Sequence, residues 1–143
     1  MIMSIKQISV FVENRPGRLA EITGVLADNG IDIRALSVAD TAEYGILRLI
    51  VDKPEKTLDI FKQSNITANV KDVLAAAVPD TPGSFAKAVR ILTDSGISIE
   101  YAYAFITPKK DQAYVIFRVA DNDKAGAVLS RAGFSLIEQD DIF

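Results

Sequence analysis

Val12-Glu13-Asn14-Arg15-Pro16-Gly17-Arg18-Leu19-Ala20 decides the fold, because the chain writes a close variant of it again, 66 positions later, as Val78-Pro79-Asp80-Thr81-Pro82-Gly83-Ser84-Phe85-Ala86. The correspondence runs on: Leu26 falls on Leu92, Asp28 on Asp94, Gly30-Ile31 on Gly96-Ile97, and Ile33 on Ile99. A repeat of this length is one supersecondary unit copied and fused. The chain of 143 residues is therefore expected to hold two small units, residues 1–71 and 72–143.

Upstream of the repeated turn, Ile8, Val10 and Val12 alternate with period two, so residues 5–12 read as a strand that runs into Glu13-Asn14-Arg15-Pro16-Gly17. Downstream, Leu19, Ile22 and Leu26 recur at helical spacing and stop at Asn29-Gly30, where glycine accepts the left-handed conformation that ends a helix. The second copy places Phe85, Ala88, Val89 and Leu92 on one helical face before Ser95-Gly96. After each glycine come an extended segment (residues 31–39 and 97–106), a break (Asp40-Thr41-Ala42-Glu43 and Thr107-Pro108-Lys109-Lys110) and another apolar strand. Asp52-Lys53-Pro54-Glu55 opens a second helix, with Pro54 suited to its first turn and acids at the positive end of its dipole. Asp121-Asn122-Asp123 opens the matching one, and residues 66–71 and 134–140 close the units as short strands.

Each half thus reads strand, helix, strand, strand, helix, strand, which predicts an α+β fold of two ferredoxin-like βαββαβ units side by side. That order leaves the second strand of each unit at an edge with unpaired backbone groups. Pairing the two edges predicts one eight-stranded antiparallel sheet with helices on one face. The other face is not polar, because Ile46-Leu47-Arg48-Leu49-Ile50-Val51, residues 73–78 and Val115-Ile116-Phe117 are apolar on both parities. Ala102 and Ala104 alternate with Tyr101, Tyr103 and Phe105, giving one strand an aromatic side and a smooth one. Such a face predicts burial against a second copy, a homodimer packed sheet on sheet.

Composition narrows the function. Hydrophobic residues make up 49% and charged residues 24%, as in an ordinary globular protein, and no apolar run approaches the roughly 20 residues that cross a bilayer. Met1-Ile2-Met3-Ser4-Ile5-Lys6 lacks the pattern of an export signal, so a cytoplasmic location is expected. With no Cys there is no disulfide, thiolate nucleophile or thiolate metal site. With no His there is no side chain whose ordinary pKa lies near neutrality, so most catalytic triads are excluded. No cofactor or metal is expected, since Asp121 and Asp123 lack the glycine and further acids of a calcium loop and read as helix caps. A net charge of −3 without a basic cluster argues against nucleic acid, and nothing points to a membrane partner. Arg48 and Arg118 read as outward salt-bridge partners.

Chemistry concentrates at the repeated turns. Asn14-Arg15-Pro16-Gly17-Arg18 and Asp80-Thr81-Pro82-Gly83-Ser84 each lead into a helix N-terminus, where amide groups lack intrahelical partners and the dipole favours an anion. A carboxylate suits that place, and Asn14 or Asp80 offers a side-chain oxygen to an ammonium group. One molecule carrying both charges is an amino acid. The plainer alternative is that Asn14 and Asp80 merely cap the helices.

The residues from Val12 through Ala20 and on to Gly30-Ile31-Asp32-Ile33 resemble the ACT domain, a small amino-acid-binding regulatory module, and residues 78–99 are similar with less of the motif kept. The resemblance covers essentially the whole chain and implies a tandem ACT protein standing alone. It further implies a ligand where the first turn of one module faces the second strand of a neighbour. The implied site residues are Asn14, Arg15, Pro16, Gly17, Arg18 and Leu19 in the first copy and Asp80, Thr81, Pro82, Gly83, Ser84 and Phe85 in the second. Asp32 and Ser98 stand where the family often has asparagine. The expectation is a regulatory protein, not an enzyme, that binds a free amino acid at the interface between its two units and signals to a separate protein of amino-acid metabolism. The alternatives are an interaction subunit without a ligand and, further off, a small ferredoxin-like isomerase working through Asp or Tyr.

Overall fold

The computed structural model describes residues 4–40, 43–107 and 109–142. The expected breaks at Thr41-Ala42 and at Pro108 lie outside the described residues. The chain separates into two compact units, Lys6–Lys71 and Asp72–Phe143, with Ile5 grouping with the second.

The first unit runs β1 (Ile5–Glu13), α1 (Arg18–Asp28), β2 (Ile33–Asp40), β3 (Tyr44–Val51) and α2 (Pro54–Gln63), then enters β4 (Ala68–Pro79). Its strands lie in the order β2-β3-β1-β4, with β3 antiparallel to both β1 and β2. Alternation sends Ile8, Val10, Leu47, Leu49 and Val51 to the helix side, where they pack with Ile22, Leu26, Ile60 and Phe61. Ile31 and Ile66, each just past a helix, close the ends of this core.

The second unit takes up the rest of β4, then α3 (Ser84–Asp94), β5 (Tyr101–Ile106), β6 (Gln112–Arg118), α4 (Asn122–Arg131) and the two-residue β7 (Ser135–Leu136). β6 lies between β4 and β5, and β7 pairs with β4. Leu74, Ala76, Val78, Val115 and Phe117 face Ala88, Leu92, Ala125 and Leu129 of the helices.

Three expectations need correction. Among the described residues seven strands form, not eight, because Val70-Lys71-Asp72-Val73 holds no Pro or Gly to break extension, so the last strand of the first copy and the first of the second run on as β4. The expected pairing of the two second strands is not among the ladders of the described residues, where β2 pairs with β3 and β5 with β6. The closing strand expected over residues 134–140 shrinks to β7, and a 3-10 turn follows at Gln139–Ile142. The second-face argument for a dimer also weakens: Ile50, Val73, Ala75, Tyr114 and Ile116 are buried within the single chain. Large apolar side chains stay exposed at Phe11, Leu19, Leu36, Val38, Tyr44, Ile46 and Phe85 instead.

Candidate functional site

The two turns are built alike down to single hydrogen bonds. At the end of β1 the Asn14 amide donates to the Glu43 carbonyl at 3.1 Å, and beyond β4 the Asp80 amide donates to Asp111 at 2.7 Å. Each turn then closes on itself, Arg18 N–H to Arg15 carbonyl at 3.3 Å and Ser84 N–H to Thr81 carbonyl at 3.2 Å. Gly17 at φ 81° and Gly83 at φ 88° occupy the N-cap positions in left-handed conformation, the region where a side chain is strained. A Cβ at either would meet nothing within 4 Å, so the demand for glycine comes from the backbone dihedral and not from crowding.

No side chain caps α1 or α3. The N-cap positions are held by Gly17 and Gly83, which carry no side chain to accept from the first amides. α4 behaves otherwise, with Asp121 accepting from the Lys124 amide at 3.0 Å as a conventional N-cap. Arg118 pairs with Glu100 at 3.4 Å.

The two turns part company in charge. Around the first, Arg15 holds Glu21 through a two-pronged contact, both bonds at 3.1 Å, and places its Nε 3.4 Å from Glu13. Arg18 donates to the same Glu21 at 3.1 Å. Hydrogen bonds from Arg15 and then Arg18 hold the Glu21 carboxyl below the ordinary carboxylate range, and the bond to Glu21 raises the Arg15 guanidinium above its ordinary value. In the second copy these positions are Pro79, Thr81, Ser84 and Lys87, so the ion pairs give way to a hydroxyl pair, Thr81 Oγ1 to Ser84 Oγ at 2.7 Å.

A groove of about 180 Å³ opens beside the first turn, lined by Val12, Glu13, Asn14, Arg15, Leu19, Val38 and Gly45. It unites Asn14, Arg15 and Leu19 of the expected residues, while Pro16, Gly17 and Arg18 shape the turn behind them. Leu19 and Phe85, expected both on the periodic helical faces and among the site residues, are 46% and 48% exposed. Each is the second residue of its helix. Val38 and Gly45 were missed in the sequence, and Val38 shows there only as one more apolar residue in a strand.

Asp32 and Ser98 do not join the turn of their own unit. Asp32 exchanges bonds with Asp52 just past the end of β3, its amide to the Asp52 carboxylate at 3.0 Å and its carbonyl from the Asp52 amide at 3.2 Å, whereas the turn follows the Glu13–Tyr44 pair at the opposite end. Ser98 lines a groove with Val89, Thr93 and Ile97 before β5, again at the far end from Pro79 and Gln112. Phe85 lines a separate open groove along α3 with Ala86, Val89 and Arg90.

The family described as an ACT domain pair matches residues 3–143. Among solved structures, the chain is similar to protein BT0572 from Bacteroides thetaiotaomicron, with 38% identity, 98% of this chain and 96% of that one covered, and a TM-score of 0.91. Its fold is similar to that of the regulatory subunit of aspartate kinase from Thermus thermophilus in the ligand-free form, with 16% identity, coverage of 92% and 94%, and a TM-score of 0.65. It also resembles part of aspartate kinase from Synechocystis, with 21% identity, 96% of this chain against 28% of that one, and a TM-score of 0.59. No curated protein matches.

Proposed function

The chain belongs to the ACT domain pair family, and from that premise we propose that it is a regulatory protein that binds a free amino acid at its prolyl-glycyl turns and passes the change to a separate enzyme or regulator. One coincidence supports the reading. Two helices start on a left-handed glycine, which brings no side chain of its own to the N-cap position, and each exposes a large apolar residue at its second position. A helix start offers amide hydrogens and the positive end of the dipole to a carboxylate. Asn14 or Asp80 offers oxygen to the ammonium, and Leu19 or Phe85 offers apolar surface to the remaining side chain.

Asp32 and Ser98 lie at the far ends of their own second strands, away from the turns of their own units. A bound ligand stabilises the conformation it prefers, and coupling of this kind is typically about 1–3 kcal/mol. Melting curves with each of the standard amino acids test the proposal. At least one is expected to raise the melting temperature, by the equivalent of about 2.7 kcal/mol when present at 100 times its Kd. A folded protein indifferent to the whole panel would overturn it. The open outer edge of β2, with Leu36 56% exposed, favours a second reading as a docking subunit that needs no ligand. Partner capture from extract that is unaffected by added amino acids would select it.

A further inference from the structure

We infer that Asn29-Gly30 is a self-modification site that the end of α1 holds closed: the folded chain keeps the asparagine amide, and opening of the cap converts residue 29 to aspartate and isoaspartate. The chemistry needs only water. The Gly30 nitrogen gives up its proton to solvent and bonds to Cγ of Asn29, the Cγ–Nδ2 bond breaks, and Nδ2 leaves as ammonia. Water then opens the resulting imide ring, at the side-chain carbonyl to give aspartate or at the backbone carbonyl to give isoaspartate. No electron is transferred and nothing else is consumed.

Asn29 is the one asparagine of the chain followed by glycine; the others precede Arg15, Ile66, Val70 and Asp123, whose side chains crowd the attacking nitrogen. Glycine puts no Cβ beside that nitrogen, and Asn29 and Gly30 are both exposed, so water reaches them. The second copy supplies the comparison. Ser95-Gly96 ends α3 with nearly the same backbone, Ser95 at φ −91° and ψ 8° against Asn29 at φ −106° and ψ 10°, but a serine has no amide to lose.

The folded geometry keeps the reacting atoms apart. At ψ 10° the Gly30 nitrogen is turned toward the Asn29 amide nitrogen and away from its side chain, so ring closure requires a large rotation about the Cα–C bond of Asn29. Both ends of the peptide plane that must turn are tied: the Gly30 N–H donates to the Ala27 carbonyl at 3.2 Å, and the Asn29 carbonyl accepts from Lys56 Nζ at 3.2 Å. The side chain is tied as well, with Nδ2 donating to the Val25 carbonyl at 2.8 Å. Ile31, buried in the core with its amide donating to the Leu26 carbonyl at 3.0 Å, anchors the residue that follows. Conversion is not neutral for α1. A carboxylate in place of the amide loses the bond to Val25 and sets negative charge against the negative end of the helix dipole. Isoaspartate also lengthens the backbone ahead of Ile31, so the product opposes reclosure of the cap.

Peptide mapping by mass spectrometry of the full chain, incubated in mildly alkaline buffer with and without urea, reads the conversion at each asparagine. Asn29 is expected to convert first, to a mixture of aspartate and isoaspartate, and at least about tenfold faster in urea, where the cap stays open. Lys56→Met frees one end of the peptide plane in a folded protein and is expected to speed native conversion about twofold. Asn29→Ser, which copies the second unit, is expected to leave no fast step in urea. A native rate matching the urea rate would overturn the inference, as would another asparagine converting first or aspartate as the sole product. A fast step that survives Asn29→Ser, or native conversion that Lys56→Met fails to quicken, would overturn it too.

Discussion

Gly17 and Gly83 hold the turns in a conformation that costs any other residue about 1–2 kcal/mol, and neither is crowded, so the cost is purely one of backbone dihedral. Gly17→Ala is expected to lower unfolding stability by about that amount in urea titrations, with an unchanged slope. Gly24 makes the contrast. It sits inside α1 with right-handed backbone and open space around it, so Gly24→Ala is expected to raise stability by up to about 1 kcal/mol. Glu21 adds a pH signature. Its folded carboxyl titrates below the ordinary value of about 4.3, so the support it lends the turn is complete above that value and is lost as pH falls through the lowered one. A side-chain NMR titration should show this, and Arg15→Ala together with Arg18→Ala should return the carboxyl to the ordinary range. Pro-Gly was readable as a turn from the sequence because both residues act through their own backbone. The exposure of Leu19 and Phe85 was not readable from their spacing, because helical periodicity gives the face of a residue and not how much of it stays open.

The four α-helices of the described residues stop by one device. The residue after the C-cap turns left-handed and its amide reaches back three residues, while the next residue's amide reaches back five. The bonds are Gly30 to Ala27 and Ile31 to Leu26, Asn65 to Lys62 and Ile66 to Phe61, Gly96 to Thr93 and Ile97 to Leu92, and Gly133 to Ser130 and Phe134 to Leu129. The second partner is apolar each time and buried in its unit's core, so the stop also aims the following chain. The glycine stops were legible; Asn65 at φ 55° was not, since asparagine signals a left-handed residue less sharply than glycine does. Asp121→Ala should cost about 1 kcal/mol in urea unfolding through loss of the one side-chain N-cap among the four helices. β4 teaches a further lesson: patterning located both of its halves, but only the absence of a breaker between them hinted that they were one strand.

For the molecule as a whole, duplication explains why the fold was readable and the site only partly so. Two copies of one pattern confirm each other wherever they agree, at the prolyl-glycyl turns, the helical stripes and the glycine stops. They differ at Gly45 against Ala113 and Leu19 against Phe85, and such differences can be matched only once strand register shows which residues correspond. Apolar residues on both faces of the strands were also visible in the sequence, but not what covers them, because burial of Ile116 or Val73 is equally well served by the same chain as by a second one. The most direct test of the account follows backbone amide signals of the isotope-labelled protein while each standard amino acid is added in turn. Saturable shifts centred on Gly17, Arg18 and Leu19 or on Gly83, Ser84 and Phe85 are predicted for at least one of them. Spectra that change with none of them, or only at residues away from both turns, would contradict it.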